Sequence, residues 1–188
     1  DGALYVADWY DTRLTHVDPS DNWHRSSGRI YRLTGGSAGP TEPFDLGERS
    51  TDALIDLLSH ENKWYRETAL RVIGDRKDES VVPRLEQMIE NESGELALNA
   101  LWALNLTAGL DADALRTGLT HEDPHVRKWT VRLMGDDREV PGSLESLLLE
   151  TARTEPDVEV RSQMASSAQR SPGDVAVPLI DALLEHEE

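Results

Sequence analysis

Cysteine is absent from the 188 residues of this chain. Its absence excludes disulfides, thiolate zinc sites, cysteine nucleophiles and covalently attached c-type haem within these residues. Basic residues are also scarce, since 19 Lys and Arg stand against 36 Asp and Glu, for a formal net charge of −17. Nucleic acids and anionic membranes attract Lys and Arg, so the sequence predicts neither kind of partner.

Long apolar runs are missing too. No stretch approaches the roughly 20 apolar residues of a membrane-spanning helix, so we expect no membrane insertion by this chain. The sequence starts with neither Met nor a signal peptide, and we therefore expect Asp1 to be a cut inside a longer protein. The motifs of phosphate-binding loops, nucleophile elbows and zinc proteases are absent, which predicts a chain that is not itself an enzyme.

What the sequence does contain is a repeat. Residues 58–75 return as residues 119–136, and 61 positions separate Arg66 from its counterpart Arg127. Two weaker copies fit the same frame, in which one helix (A) is followed by a second (B). Stacked helical pairs of this kind form solenoids, which serve as binding or spacing surfaces more often than as active sites.

The frame predicts a mainly α fold, an α–α superhelix of about four helical pairs and a terminal helix, preceded by a short β-hairpin. The predicted pairs are 51–58 with 63–74, 79–91 with 94–108, 111–119 with 124–135 and 142–153 with 158–170, and the terminal helix starts near 173. Gly74 and Gly135 fall where a helix end favours a left-handed residue.

Each B helix is predicted to begin after a residue whose side-chain oxygen can cap the first-turn amides. The four capping residues are Asn62, Ser93, Asp123 and Asp157. Four residues after three of them comes an arginine, whose planar fork suits a bidentate contact with a cap or loop carboxylate of the adjacent repeat. The predicted structural ladder is therefore Asn62, Arg66, Asp123, Arg127, Asp157 and Arg161, with ligand binding by the arginines as the alternative.

Aromatic and histidine side chains also recur along the repeats. Trp64, Trp102 and Trp129 lie on the first three B helices, and on a shared face they would form an interaction surface for a partner. The three tryptophans do not occupy equivalent positions in their repeats, which favours packing in the core or between repeats. His60 and His121 lie at equivalent ends of A helices, where a cation suits the helix dipole.

The first 44 residues differ in composition from the rest. They predict strands at 3–9 and 28–33 joined by a polar loop, and the chain divides into this hairpin segment with its linker (1–44) and a helical repeat domain (45–188). Four aspartates there are the metal-ligand candidates: Asp8, Asp11, Asp18 and Asp21. Their spacing matches no EF-hand or zinc pattern, and a solvated acidic loop is the alternative.

The capping aspartates, Pro124 and the following Val-Arg resemble HEAT repeats of the short variety. Residues 1–11, His24 and residues 28–33 resemble the last propeller blade of a family of large proteins from Planctomycetes and Verrucomicrobia. That family is classed as membrane-bound dehydrogenases or haem-binding proteins. Its next motifs are Asp-Leu-Gly, His-x-Asn-x-Trp-x-Arg, Ala-Leu-Trp-Ala-Leu and His-x-Asp-Pro-His-Val-Arg, which stand here at 45–47, 60–66, 100–104 and 121–127.

The resemblance implies a redox protein that is periplasmic or otherwise exported. Its propeller would precede these repeats, and its cytochrome c domain would follow them. Haem, and any quinone or calcium, would lie in those other domains, so no cofactor is expected within this chain. The chain would be a non-catalytic scaffold that spaces the propeller from the electron-accepting domain, with those domains as its partners.

Two alternatives to the scaffold remain open. The chain could be an independent acidic module that binds another, basic protein. It could also be a metal-binding or enzymatic segment centred on the Asp-rich N-terminal loop.

Overall fold

The structure is a computed structural model that describes residues 3–8, 26, 28–35 and 44–186. The chain divides into two compact units, which meet in sequence between Phe44 and Asp45. The first unit holds an antiparallel hairpin of β1 (Leu4–Ala7) and β2 (Ile30–Leu33), in which Leu4 pairs with Leu33 and Ala7 with Ile30. All eight strand residues are exposed.

The second unit is built from α-helices that follow one another in pairs. In the described part of the chain these helices are α1 (Thr51–Asp56), α2 (Lys63–Arg76), α3 (Val82–Asn91), α4 (Gly94–Thr107), α5 (Ala112–Leu119), α6 (Pro124–Asp137), α7 (Gly142–Thr154), α8 (Val158–Ala168) and α9 (Gly173–Leu183). Short 3-10 turns extend α1 at Leu57–Ser59 and precede α3 at Glu79–Val81. The predicted mainly α fold with four pairs, a terminal helix and a short hairpin is confirmed.

The helices of this unit form two layers. The A helices contact one another in succession, α3 with α5, α5 with α7 and α7 with α9. The B helices do the same, α2 with α4, α4 with α6 and α6 with α8. Within the first three pairs, each A helix also packs on its own B helix. This succession of neighbours is the architecture of a HEAT-like superhelix. Among the helices that the structure describes, none has the length and apolar character required to span a membrane.

Apolar side chains four residues apart fill the space between the layers. Leu54 and Leu58 of the first pair, and Leu85 and Ile89 of the second, are each at most 1% exposed. The i, i+4 spacing puts such residues on one face of a helix. The core consists of two clusters rather than one, and the third pair contributes to both, with Val126 in one and Leu119 in the other. Each pair therefore depends on its neighbours for burial.

The prediction that Gly74 and Gly135 end their helices is wrong. Both lie inside the helix, and α2 and α6 continue to Arg76 and Asp137. The left-handed residues that follow are Lys77, with φ 50°, and Arg138, with φ 60°. The helices therefore end one turn later than a glycine-based rule predicts.

The two glycines instead permit close helix packing. A Cβ atom at Gly74 would lie 3.0 Å from the Cβ of Leu106 on α4, and one at Gly135 would lie 2.8 Å from the Cβ of Ser167 on α8. The contact at Gly135 is shorter than Cβ atoms make, and at Gly74 the Leu106 side chain would have to shift by a few tenths of an ångström. The neighbouring B helix occupies the space that a side chain would need. A rule based on the local sequence does not take that helix into account.

Candidate functional site

The starts of the B helices carry most of the predicted site residues. The side chain of Asn62 accepts a hydrogen bond from the Trp64 amide at 3.0 Å, and that of Asp123 accepts one from the His125 amide at 2.8 Å. Asp157 accepts from two amides of α8 at 2.9 and 3.1 Å. Each of these oxygens satisfies first-turn N–H groups that have no partner inside the helix.

The prediction that the Ser93 side chain caps α4 is wrong. Ser93 precedes α4, but its side chain makes no capping hydrogen bond. Gly94 beside it has φ 62°, and its amide donates to Oδ2 of Asp123 at 2.8 Å. Asp123 therefore uses one carboxylate oxygen for its own helix and the other for the helix of the preceding pair.

The repeated arginines hold the loops that enter the B helices. Arg66 donates from Nη1 to the carbonyls of His60 and Glu61, at 2.7 and 3.0 Å. Arg127 makes the same two contacts one copy later, with the carbonyls at 121 and 122 at 2.8 and 2.9 Å. Arg161 donates to the carbonyl of Glu155 at 2.8 Å. These bonds satisfy carbonyl groups in the turn between A and B helices.

Arg66 and Arg127 also reach a carboxylate of the next pair. Arg66 contacts Glu95 at 2.6 Å, and the Glu95 side chain is 64% exposed. Arg127 contacts both oxygens of Glu155, from Nε at 2.8 Å and from Nη2 at 2.7 Å, and the Glu155 side chain is only 1% exposed. Hydrogen bonding to Glu155 raises the pKa of Arg127, although partial burial opposes the shift.

Glu155 is a buried carboxylate that the sequence interpretation missed. It stands two residues before the cap Asp157 and accepts the Asp157 amide at 2.9 Å. His121 occupies the same place before Asp123 and accepts its amide on Nδ1 at 2.9 Å, as His60 does for Asn62 at 3.0 Å. The signal available in sequence was this position, two residues before the cap, which supplies an acceptor at the starts of α2, α6 and α8.

The histidines make specific contacts in the loops between A and B helices. The backbone amide of Asp123 donates to Nδ1 of His121, so this ring nitrogen is an acceptor. The Nε2 atom of His121 lies 3.1 Å from the carbonyl oxygen of Glu92, which can only accept, so Nε2 donates. His121 thus links its own loop to the end of the preceding A helix.

A second cross-pair contact that was not predicted lies in the A layer. Arg84 of α3 contacts the side chains of Asp52 and Asp56 on α1, at 3.1 and 2.5 Å. Hydrogen bonding to Asp56 is the main cause that raises the pKa of Arg84. This contact joins the A helices of the first two pairs.

The structure brings two of the three tryptophans together. The rings of Trp102 and Trp129 meet edge to face, with centroids 4.9 Å apart, and the guanidinium of Arg132 lies 5.4 Å from the Trp129 ring. Trp64 is 51% exposed and contacts Tyr65 on its own helix. The indole Nε1 of Trp102 is buried and has no hydrogen-bond acceptor among the described residues. A role of these rings in binding a partner stays a prediction.

Four aspartates of the first segment are the candidate metal ligands. Three of them, Asp11, Asp18 and Asp21, lie outside the described residues. Asp8 is partly buried, and its amide donates to the carbonyl of Arg29 at 2.8 Å, next to the hairpin. Within the described ranges, no cluster of three His, Asp or Glu side chains could hold a metal ion.

Part of the helical region matches a known family. A family model described as HEAT repeats matches residues 51–114. This stretch covers the first two pairs and the start of α5. No curated protein and no solved structure matches the chain. The matched region is thus HEAT-like, and repeats of this kind form helical scaffolds and interaction modules. The resemblance to the dehydrogenase or haem-binding family stays a prediction.

Proposed function

We propose that this chain is a non-catalytic spacer in a larger redox protein. It would hold a preceding propeller and a following electron-accepting domain at a set separation. The observation that carries the proposal is the series of polar links between consecutive pairs: Arg66 with Glu95, the amide of Gly94 with Asp123, and Arg127 with Glu155. The charged side chains of this series bond to backbone groups and to each other. They therefore stabilise the stacking of the pairs.

The links favour rigidity because they add to the apolar contacts between the layers. Burial of apolar side chains is not directional, so it resists separation of the pairs better than it resists sliding. Hydrogen bonds with a charged partner depend strongly on distance and angle. A series of them at the B-helix starts therefore favours one register of stacking.

Rigidity can be measured between two spin labels. The chain contains no cysteine, so Glu86→Cys and Ser146→Cys add label sites on exposed positions of α3 and α7 without competing thiols. Double electron–electron resonance should give one narrow distance distribution. Adding Arg127→Ala should broaden it, whereas Arg153→Ala, which removes an exposed ion pair, should not. A broad distribution in the unmodified stack would contradict the spacer proposal.

Spacing can be tested in the longer protein by a deletion that respects the repeat. Removal of residues 63–123 joins Asn62 to Pro124, so a capping residue still precedes a B helix. Two pairs are lost, and at 8–10 Å between packed helices the stack shortens by roughly 20 Å. We expect slower electron transfer to the haem domain, with unchanged turnover when an artificial acceptor is supplied. Equal transfer rates would argue against spacing.

A second candidate function follows from the charge. A net charge of −17 favours an acidic module that captures a separate basic protein. Poly-L-lysine can serve as the probe of such capture. Glu86→Lys with Glu90→Lys, both exposed on α3, should weaken its binding more than the same reversals on another face. Equal loss on all faces would indicate general attraction rather than a docking face.

A further inference from the structure

The two helix layers differ in charge. In the part of the chain that the structure describes, the A helices α1, α3, α5, α7 and α9 carry nine acidic and three basic residues. The B helices α2, α4, α6 and α8 carry six acidic and eight basic residues. The acidic character of the whole chain is therefore not shared by the B layer.

Two basic residues of the B layer have no acidic partner among the described residues. Arg71 of α2 and Arg132 of α6 are exposed, and neither makes an ion pair with a described carboxylate. The acid one turn after Arg132 is Asp136, which pairs instead with Arg170 of α8. In a chain with 36 acidic residues, these two guanidinium groups can still contact a carboxylate from outside.

The two unpaired arginines hold equivalent positions in the repeat. Each stands five residues after a loop-holding arginine, Arg66 or Arg127. In the B helix between them, the residue five positions after Ala97 is Trp102. Because α4 contacts both α2 and α6, the three equivalent positions form a row across neighbouring B helices.

The open side of α4 carries no charge beyond its first turn. Between Ala97 and Thr107, the residues that are not buried are Leu98, Trp102, Asn105 and Leu106. A spacing of three or four residues puts such side chains on one face of a helix. This face of the middle B helix is thus apolar and aromatic, and a cation flanks it on each side.

Ring contacts place Arg132 beside this face. The rings of Trp102 and Trp129 meet edge to face with centroids 4.9 Å apart, and the guanidinium of Arg132 lies 5.4 Å from the centroid of Trp129. A guanidinium at this distance is held by the ring and keeps its N–H donors free for a carboxylate. These side chains form one surface, the B-layer strip, which consists of Arg71, Leu98, Trp102, Trp129 and Arg132.

We propose that the B-layer strip binds an extended acidic peptide segment of another protein, with apolar residues between its carboxylates. Arginine and tryptophan are the residues that most often dominate the binding energy of interfaces. A carboxylate can contact an arginine through two N–H groups, and apolar side chains can cover Trp102 and Leu98. The proposal goes beyond the spacer function, and it concerns the layer opposite the acidic side chains of α3.

The spacing of the helices sets the length of the segment. Packed helices lie 8–10 Å apart, so α2 and α6 are separated by roughly 16–20 Å. An extended chain rises about 3.3 Å per residue, so about six residues separate the two carboxylates, and alternate side chains face the strip. The screening length is about 8 Å at physiological salt, so the arginines in contact outweigh the more distant acids of the A layer.

Titration with a designed peptide tests the proposal. The probe is acetyl-Glu-Ser-Leu-Ser-Leu-Ser-Glu-amide, in which Glu, Leu, Leu and Glu share one face of an extended chain. The five tryptophans of the 188-residue chain give five indole N–H signals in a ¹⁵N-labelled sample, assigned by Trp→Phe substitutions. We expect the signals of Trp102 and Trp129 to shift on titration and that of Trp64 to stay in place.

Substitution of the arginines separates specific docking from general charge. Arg71→Gln and Arg132→Gln should each weaken binding about two- to fivefold and leave the melting temperature unchanged, because both side chains are exposed. Arg153→Gln, the same change at an exposed position of α7, should leave binding unchanged.

Charge reversal gives a second, independent measurement. Arg71→Glu with Arg132→Glu should make the chain prefer the peptide in which lysine replaces both glutamates. Arg116→Glu with Arg153→Glu changes the net charge equally at exposed positions of the A layer and should not.

Four outcomes would overturn the proposal. The first is that neither the Trp102 nor the Trp129 signal shifts, and the second is that the unmodified chain prefers the lysine peptide. The third is tighter binding of a ten-residue deoxythymidine oligonucleotide, which would assign the strip to single-stranded nucleic acid. The fourth is a dimer in sedimentation that Arg71→Gln with Arg132→Gln dissociates, which would assign the strip to the acidic A layer of a second copy.

Discussion

Removal of the Arg127 side chain should destabilise the protein much more than removal of Arg66. The side chains of Arg127 and Arg66 are 13% and 14% exposed, and each donates to two loop carbonyls. Substitution by alanine therefore removes the same burial and the same two hydrogen bonds at both positions. The carboxylates differ, because Glu155 is 1% exposed and Glu95 is 64% exposed. Arg127→Ala therefore leaves a charge buried without its partner.

The expected magnitude follows from that difference. Breaking one side of a buried pair costs about 3–5 kcal/mol, whereas an exposed pair contributes about 0–1 kcal/mol. Arg127→Ala should therefore lower the free energy of unfolding by about 2–5 kcal/mol more than Arg66→Ala. Urea denaturation followed by far-UV circular dichroism and tryptophan fluorescence measures both. At 1 M NaCl, where the screening length is about 3 Å, the exposed pair should weaken and the buried pair should not.

Double-mutant cycles make the reasoning refutable. The coupling energy between Arg127 and Glu155, from the two single alanine variants and the double variant, should exceed that between Arg66 and Glu95. Glu155→Gln should be milder than Arg127→Ala, because its amide oxygen can still accept the Asp157 N–H. Equal coupling energies for the two pairs would show that burial of the carboxylate does not decide the strength of the link.

Three further predictions concern the glycines, the caps and acid. Gly135→Ala should destabilise by about 1–3 kcal/mol despite the better helix propensity of alanine. Gly142→Ala should not, because its Cβ would meet only a Glu145 carboxylate oxygen at an ordinary contact distance of 3.8 Å; urea midpoints compare the two variants. Asp123→Asn should cost about 1 kcal/mol more than Asp157→Asn, since an asparagine has one acceptor oxygen and only Asp123 caps two helices; an equal cost would contradict the double cap. Hydrogen bonds from Ser80 lower the pKa of Asp78, so its stabilisation is complete above the unfolded pKa and is lost as pH falls through the folded one. Asp78→Asn should therefore flatten the fall of the urea midpoint below about pH 4.

Local rules predicted the helix starts well. Asn62, Asp123 and Asp157 cap through oxygens that bond amides two or three residues later, so the whole interaction lies within five consecutive residues. Pro124 adds a fixed φ at the first helical position. A rule that needs only one turn of chain can be applied to a sequence without its neighbours.

Local rules failed where the partner came from another pair. Ser93 fits the capping pattern, but the amide beside it bonds to Asp123, which lies 29 residues further along. Gly135 fits the pattern of a helix end, but its missing side chain makes room for Ser167. Each failure has the same physical cause, a contact between helices that the sequence of one helix does not contain.

The sequence by itself determined the repeating unit, because the apolar period and the caps act within single helices and recur at a constant spacing. The tertiary structure decided which polar groups became links and which remained exposed. Glu95 and Glu155 are both acids that face an arginine, and only the packing around Glu155 removes it from water. Burial is a property of all neighbours together, so it emerges only when the pairs are stacked.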